Sequence, residues 1–311
     1  MAVEDWVNSV IRAIMCLIGI IGNNWLCITS LPKPNSQLRT NDLLFINLGV
    51  SNLLTNYLVD VFYIIQPGGF LAVGRVYCIF QLFLPKFSET SSILTTIFIT
   101  LYWHQKLVGS LKRGGAPVLM DNLHFTAALL TGSWIFAFVV NIPHFFIILG
   151  QNENATTTQC IEKQQLQGYK VTYTILVNFF PLMGIVYASV QITVTLLRNE
   201  KRMRKMSTAV QNEGKTSVEK NGDKANGIST VTKSKSKPQG KSGSLLRAAK
   251  SVVVVAVFFF ICWLVNLHVS FVSSVSESTL LHDLESFVGA SYTCVIPYIY
   301  LYGIQKLTCS R

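Results

Sequence analysis

The stretch CIFQLFLPKFSETSSILTTIFITLYWHQKLVG, residues 78–109, decides the fold of this chain. An α-helix rises about 1.5 Å per residue, so a helix of this length can cross a bilayer with tilt. Lys86 and Glu89 lie one turn apart in an otherwise apolar and hydroxylated run. A membrane helix that carries two opposite charges is typical of the centre of a helix bundle, where partners can satisfy those charges.

The composition indicates a multi-span membrane protein. Half of the 311 residues are hydrophobic and only 13% are charged, whereas about 25% are charged in typical soluble proteins. A soluble core could not hide so much apolar surface. The first apolar run follows directly on MAVEDW, so we expect it to be a span and not a separate cleavable signal. The net charge of +11 comes from basic residues clustered in loops, which indicates membrane topology and no nucleic-acid partner.

Seven apolar runs predict an all-α, seven-transmembrane helix bundle that forms one domain over residues 1–311. Prolines, glycines and polar segments separate the runs. The predicted spans are residues 7–31, 42–66, 78–107, 122–149, 169–197, 245–274 and 283–307. Between the fifth and sixth spans, residues 198–244 mix lysine with glycine, serine, asparagine and threonine, which is typical of a flexible basic loop.

Basic residues indicate the orientation of the bundle. The loops after spans one, three and five, and the tail, hold most of the lysine and arginine. By the positive-inside rule the N-terminus is extracellular and the C-terminus is cytosolic. Cys78 and Cys160 then both lie on the oxidising outer face, where a disulfide can persist. The loop that holds Cys160 also contains Asn154-Ala155-Thr156, an N-glycosylation acceptor sequence.

Short motifs in the spans resemble those of the rhodopsin-like receptors. The matching residues are Gly22-Asn23, NLGVSN (residues 47–52), Trp134, Pro181, Phe259, Cys262, Trp263, Pro297 and Tyr300. Asn52 stands where most such receptors carry the aspartate of their sodium site. Trp103 stands where they carry an arginine at the foot of span three, which puts the usual arginine-based lock in question but not coupling to a G protein. Val265 and Ile296 replace the usual proline and asparagine of spans six and seven.

Three shorter motifs resemble one branch of that family, the vomeronasal type-1 receptors, and still more their fish relatives, the class A-related olfactory receptors. These motifs are YWHQKLVG, Ser51-Asn52 and AAKSVVVV, which precedes Cys262-Trp263. The resemblance implies a receptor that binds a small-molecule odorant or pheromone and activates a heterotrimeric G protein of the Gi/Go type. It also implies the plasma membrane of chemosensory neurons. Bitter taste receptors are the nearest competitor, but they generally lack a cysteine like Cys78.

Lys86 and Glu89 are the sharpest candidates for a ligand site. Residues three apart on a helix share one side, so the two charges can simply pair with each other. In this receptor class the outer half of span three lines the binding pocket, which gives a second interpretation. Lys86 would then attract an acidic odorant, or Glu89 an amine.

Further candidates come from the outer halves of the other spans. We expect pocket-lining side chains among Asp60, Phe87, Asn178, Asn266, His268, Glu285 and Tyr292. For the aromatic residues, packing is the alternative interpretation, and for Asp60 and Glu285 it is solvation near the interface.

The resemblance also implies a switch below the pocket. Trp263 is the proposed switch, because a large side chain has few ways to move and a ligand above it can bias which one it takes. The other residues at switch positions are Asn52, Pro297, Tyr300 and Trp103. The basic loop has two interpretations: it binds anionic membrane lipid, or its ends extend spans five and six towards the G protein.

Three other functions are weighed against a receptor. A retinal-binding protein needs a lysine in the middle of span seven, and Lys306 at its cytosolic end is the only lysine there. A multi-span transporter often shows internal repeats, and we find no repeat. An enzyme would need a catalytic motif, which Asp60 and Glu89 on different spans do not form. A receptor needs only differential binding to two states, so we expect no enzyme activity and no cofactor.

Overall fold

The computed structural model describes residues 3–65, 75–112, 118–149, 167–219, 239–273 and 279–303. Seven helical segments account for almost all of them, and no strand occurs in these ranges. The segments are α1 (Val3–Ser30), α2 (Thr40–Thr55, continued by Asn56–Asp60 and Val61–Ile65), α3 (Arg75–Lys112), α4 (Leu123–Leu149), α5 (Gln167–Tyr173, continued by Thr174–Phe179 and Phe180–Glu219), α6 (Gln239–Ser273) and α7 (Thr279–Gly303). The all-α seven-helix bundle predicted from the sequence is therefore confirmed.

Helix α3 lies at the centre of the bundle. It contacts α2, α4, α5 and α6, while α1 packs between α2 and α7 and α6 packs against α7. Its inner position suits a sequence rich in serine and threonine. Thr95, Thr96 and Thr100 donate to carbonyls one turn earlier in α3, and side chains of α2 bond Thr95 and Ser91. Ser91, Thr95, Thr96 and Thr100 are all essentially buried.

The outer surface of the bundle is apolar and much of its interior is polar. On α1, Ile14, Leu17 and Ile21 are more than half exposed, whereas Asn23 is fully buried. A soluble protein would show the opposite pattern. In a membrane, apolar side chains can face lipid while polar groups find partners inside the bundle.

Hydropathy and length identify four helices in the described part of the chain that could cross a membrane. These are Trp6–Ser30, Leu123–Pro143, Val171–Arg202 and Leu246–Val265. The α-helical part of α2 ends after 16 residues, at a π-helical turn, and is too short to be identified in this way. Helices α2, α3 and α7 also carry polar residues that face other helices. Among them are Asn52 on α2, Glu89 on α3 and Thr293 on α7.

Two helices contain a π-helical turn near the candidate site. Asn56–Asp60 forms such a turn in α2, and Thr174–Phe179 forms one in α5 just before Pro181. Turns of this kind are often found at functional sites, because the wider turn redirects the side chains around it. Helix α5 also continues beyond residue 197 to Glu219, and α6 begins at Gln239. Residues 220–238 of the predicted basic loop lie outside the described residues.

Close packing of α1 on α7 depends on a glycine. A Cβ atom at Gly22 would lie 2.6 Å from the ring of Tyr298 and 3.0 Å from Pro297. A larger residue at position 22 would displace these side chains, so glycine favours the close approach of the two helices. This contact fixes α7 beside the polar residues of α1 and thereby positions the network described next.

Candidate functional site

A hydrogen-bonded network of neutral side chains joins four helices in the middle of the bundle. The Ser92 hydroxyl on α3 donates to the side-chain oxygen Oδ1 of Asn52 at 3.0 Å, and the side-chain amide of Asn52 donates to Asn23 Oδ1 at 3.0 Å. Asn23 in turn donates to the Thr293 backbone carbonyl on α7 at 2.9 Å. Two of the positions singled out from the sequence, Asn23 and Asn52, therefore lie in one connected network. The amide of Asn52 supplies both a donor and an acceptor, which an aspartate could not do when ionised.

Asp60 extends this network towards one end of the bundle. Asn56 donates to an Asp60 carboxylate oxygen at 2.9 Å and to the Thr293 hydroxyl at 3.3 Å. Asp60 is only 3% exposed, so the alternative of a solvated interfacial carboxylate is wrong. The π-helical turn Asn56–Asp60 carries both side chains.

Lys86 and Glu89 form the ion pair that their spacing predicts. The Lys86 ammonium lies 3.5 Å from a Glu89 carboxylate oxygen. The two side chains are 42% and 43% exposed, so both are accessible from outside the protein. We refer to the half of the bundle that holds this pair as the Lys86 end.

Glu89 faces the inside of the bundle. Ile93, one turn further along α3, is buried in an apolar cluster with Leu182 of α5 and Phe259 of α6. Residues four apart on a helix share a face, so Glu89 lies directly above this cluster. Trp263, the proposed switch, and Tyr292 pack against the same cluster.

Tyr292 connects α7 to α3 below the ion pair. Its hydroxyl is hydrogen-bonded to Thr96, and its ring lies 5.6 Å from that of Phe259. The Thr96 hydroxyl donates to the Ser92 carbonyl, so Tyr292 is the donor towards Thr96. A displacement of Tyr292 would therefore be felt by both α3 and α6.

A second group of polar side chains, which joins α3 to α4 and α5, was not predicted from the sequence. The Tyr173 and Thr90 hydroxyls are 3.1 Å apart, and the Asn141 amide donates to Thr90 Oγ1 at 3.2 Å. The Thr90 hydroxyl hydrogen goes to the Lys86 carbonyl at 2.6 Å, so Tyr173 is the donor. Asn141 in the second half of span four and Tyr173 near the start of span five were the available signal, but sequence alone does not show that they meet α3.

Phe87 packs against α4. Its ring lies 5.4 Å from Phe83, 5.5 Å from Trp134 and 6.4 Å from Phe138. This is the packing arrangement that the sequence analysis kept as the alternative for the aromatic candidates. Trp134 also donates its indole N–H to Asn47 of α2 at 2.9 Å, and so helps to join α2, α3 and α4.

Two further ligand candidates are described. Asn178 is half-buried in the π-helical turn of α5, and His268 is exposed near the end of α6. Asn266 and Glu285 lie on helices whose course is described, but their side chains do not belong to the described part. Among the described candidates, the structure thus places Lys86, Glu89 and Tyr292 around the same part of α3.

The opposite half of α3, which we call the Lys106 end, contains a second ion pair. The Lys106 ammonium lies 3.4 Å from an Asp121 carboxylate oxygen and 2.5 Å from the Tyr102 hydroxyl. The Tyr102 and Asp121 side chains are 3.2 Å apart. Asp121 ends a short 3₁₀ turn, Leu119–Asp121, and its carbonyl accepts a hydrogen bond from Thr40 of α2. The sequence analysis missed this group, because nothing in the spacing pairs Lys106 with a residue beyond the next loop.

Trp103 lies beside this second pair and is 7% exposed. It belongs to one buried apolar cluster with Tyr300, whose ring lies 5.1 Å from that of Phe45. Neither the Trp103 indole N–H nor the Tyr300 hydroxyl has a hydrogen-bond partner among the described residues. Pro297 is buried one turn before Tyr300 in α7. Three of the proposed switch residues therefore lie at or near the Lys106 end.

A cavity of about 860 Å³ opens at the Lys106 end. It is lined by residues of α2, α3, α4 and α6, among them Arg39, Trp103, Lys106, Asp121 and His124. The mixture of charged and apolar residues suits a protein segment better than a small apolar ligand.

Two sequence predictions depend on residues or side chains outside the described part of the chain. Cys160 and Asn154 lie in the stretch between α4 and α5 that is not described, and the side chain of Cys78 is not described either. The disulfide and the glycosylation site therefore stay predictions. In the described part of the chain, no cluster of histidine, cysteine, aspartate and glutamate could hold a metal ion.

Comparison with known proteins gives one family and one relative. The family model described as "7 transmembrane receptor (rhodopsin family)" matches residues 22–300. Melanopsin of Phodopus sungorus is 25% identical over 198 residues. That alignment covers 61% of this chain, and the chain spans only about two fifths of the length of melanopsin (41%).

Proposed function

This chain belongs to the rhodopsin family of seven-transmembrane receptors, and we propose that it is a chemosensory receptor for small molecules. It is a multi-pass membrane protein and a receptor, not an enzyme. In the proposal the Lys86 end faces the outside and binds an odorant or pheromone, while the Lys106 end faces the cytosol and meets a heterotrimeric G protein of the Gi/Go type. The basic residues after spans one, three and five support this orientation.

The Lys86–Glu89 pair is the observation that carries the proposed ligand site. A charged pair inside a membrane bundle is costly unless it serves a cavity or a partner. Both side chains remain more than 40% exposed although Ile93, one turn below Glu89, is buried. This exposure supports a site above the apolar cluster that a small molecule can reach.

A ligand at this position can act on the residues below it. Phe259, Trp263 and Tyr292 pack against one apolar cluster and come from α6 and α7. A ligand that favours one packing of these rings would bias how α6 and α7 sit against α3. Binding changes the populations of two states only if the ligand contacts differ between them.

The Lys106 end supports the proposed contact with a G protein. Its cavity lies between α2, α3 and α6, and α5 and α6 project beyond it as helices. Lys250 of α6 and Glu200 of α5 form an ion pair at 3.0 Å that holds these two projections together. Basic residues in the projections also suit the anionic inner leaflet, at about 1 kcal/mol per residue near the surface.

Heterologous expression with a promiscuous G protein tests the proposal. Calcium responses would be recorded for acids, amines, amphoteric compounds and neutral odorants, on the native receptor and on Lys86→Ala and Glu89→Ala. We expect a calcium response that is reduced by at least one of these two substitutions. Lys33→Ala, at an exposed lysine, is the control and should leave the response unchanged. Sensitivity to pertussis toxin, with native G proteins in place of the promiscuous one, would test the Gi/Go assignment. A receptor that reaches the cell surface but responds to no compound in a broad panel would contradict a chemosensory role.

A further inference from the structure

We propose that the ligand is a small zwitterion in which an ammonium and a carboxylate lie on neighbouring atoms, as in an apolar α-amino acid. This inference rests on the proposed function and names the ligand class of the same site. It follows from the geometry of the Lys86–Glu89 pair, its partial exposure and the groups that surround it.

The pair presents both charges to the same ligand. Lys86 and Glu89 project from one side of α3 within 3.5 Å of each other. A carboxylate that approaches Lys86 is therefore also close to Glu89, which repels it. A singly charged ligand meets one attractive and one repulsive charge, whereas a zwitterion with adjacent charges can meet two attractive ones.

Partial desolvation increases this difference. The free pair is stabilised little by its own contact, because both side chains are more than 40% exposed and solvent screens them. A bound ligand excludes some of that solvent. If it carries one charge, it leaves either Lys86 or Glu89 less solvated and separated from the charge with which it was paired, which is costly. If it carries both, the Lys86–Glu89 ion pair is replaced by two ion pairs with the ligand.

The floor of the site favours an apolar side chain on that zwitterion. Ile93, Leu182 and Phe259 form the buried cluster one turn below Glu89, and Trp263 packs against it. The hydroxyl of Tyr173 lies to one side, hydrogen-bonded to Thr90. An aliphatic or aromatic side chain that points down would bury apolar area against this cluster.

Leucine and its charge-deleted analogues provide a direct test. 4-Methylpentanoate lacks the amine, 3-methylbutylamine lacks the carboxylate, and 4-methylpentanol lacks both, while all keep the branched side chain. Methionine and phenylalanine extend the apolar α-amino acid set. Calcium dose–response curves would be measured in cells that express the receptor with a promiscuous G protein. We expect at least one of the amino acids to act at concentrations about tenfold or more below those of its singly charged analogues, because each loses a charge-assisted contact.

Charge-neutral variants assign each contact. Lys86→Met should weaken responses to the amino acid and to 4-methylpentanoate but not to 3-methylbutylamine, and Glu89→Gln should do the reverse for the two analogues. Lys33→Met, at an exposed lysine far from the site, is the control. Surface labelling of an epitope tag shows that each variant is delivered. The reversed pair, Lys86→Glu with Glu89→Lys, keeps both charges and should retain more of the amino-acid response than either single variant.

The outcomes separate this inference from the proposed function. A neutral or singly charged compound that matches or exceeds every amino acid would overturn the zwitterion inference and leave a chemosensory receptor. The same conclusion follows if the amino acids act equally on Lys86→Met, Glu89→Gln and the native receptor. Silence towards the entire panel, with normal delivery to the surface, would overturn both.

Discussion

The two ends of α3 each carry a lysine–carboxylate pair, and the two pairs differ in what they connect. Lys86 and Glu89 lie 3.5 Å apart on the same helix. Lys106 and Asp121 lie 3.4 Å apart, but they join α3 to the 3₁₀ turn before α4. Breaking the first ion pair requires only side chains to move, whereas breaking the second weakens the attachment of α3 to the 3₁₀ turn before α4.

The two ion pairs differ more in the segments that they join than in the free energy that they contribute. The four side chains are between 37% and 44% exposed, so each pair contributes only about 0–1 kcal/mol. A pair confined to one helix is suited to exchange partners with a ligand. A pair that joins two segments is suited to favour one conformation of the bundle. We therefore propose that the Lys86 end binds the ligand and that the Lys106 end controls the resting state.

The largest effect is expected where both ends depend on the same structure. Asn23→Leu removes the acceptor of the Asn52 amide and the donor to the Thr293 carbonyl. Interhelical hydrogen bonds in membranes contribute about 0.6 kcal/mol on average and up to about 1.7, and unpaired buried groups add to the loss. We expect a loss of about 2 kcal/mol, measured as thermal inactivation in detergent, with reduced surface delivery.

Asn24 provides the matched control for that substitution. Its amide donates to the Ile20 carbonyl within the same helix at 2.8 Å, and it is only half-buried. Asn24→Leu should therefore cost much less than Asn23→Leu. Equal losses would show that the interhelical network is not what stabilises the middle of the bundle.

At the Lys86 end, Glu89→Gln should lower ligand potency without changing basal signalling. The substitution keeps the shape but removes the charge, so a ligand that pairs with Glu89 should need about a tenfold higher concentration. Dose–response curves for the most potent compound measure this effect. A raised basal signal would contradict the assignment, since it would mean that this pair also holds the resting state.

Two tryptophans, Trp103 of α3 and Trp134 of α4, allow the stability of the two halves of the bundle to be compared. Trp134 donates its indole N–H to Asn47 at 2.9 Å, while the Trp103 N–H has no hydrogen-bond partner in the described part of the chain. Benzothienylalanine keeps the size of the indole ring system but replaces its N–H by sulfur, so it removes only the donor. We expect this replacement to cost about 1 kcal/mol at position 134 and close to none at position 103, by the same thermal assay. A larger loss at position 103 would reveal a partner for its N–H.

At the Lys106 end, Asp121→Asn should raise basal signalling by about threefold. The change weakens the attachment of α3 to the 3₁₀ turn by a fraction of a kcal/mol, which shifts a two-state population by a small factor. Basal nucleotide exchange on a purified G protein measures it. Asp42→Asn, at another acidic residue that lines the same cavity, serves as the control and should change basal exchange less.

The smallest effect is expected for the pair between α5 and α6. Lys250 and Glu200 are 58% and 37% exposed, so solvent screens them more than the other pairs. Glu200→Gln should raise basal exchange by less than about twofold. A change larger than that of Asp121→Asn would move the main control of the resting state from α3 to the α5–α6 contact.

The sequence predicts the helices well because each span is a local property. Apolar runs separated by proline, glycine and polar loops place seven helices, and the spacing of Lys86 and Glu89 predicts their contact. Hydropathy alone identifies only four of them in the described residues. The π-helical turn shortens the α-helical part of α2 to 16 residues, and polar residues such as Glu89 and Thr293 interrupt the apolar character of α3 and α7.

The contacts between helices could not be predicted in the same way. Thr90 meets Tyr173 of α5, and Tyr102 and Lys106 meet Asp121 across a loop. Such contacts depend on the rotation and height of one helix relative to another, which the pattern along one helix does not contain. Asp60 illustrates the limit: its position near the end of a span allowed solvation, but the π-helical turn and Asn56 keep it buried.

The most direct test of the division between the two ends is one experiment on Glu89→Gln, Asp121→Asn and the double variant. Ligand potency and basal G-protein activation would be measured for all three at matched surface levels. We predict that the first variant changes only potency, the second mainly basal activation, and that the double variant shows the sum, because distant independent sites add. Loss of potency in Asp121→Asn as large as in Glu89→Gln, or a raised basal level in Glu89→Gln, would contradict the account.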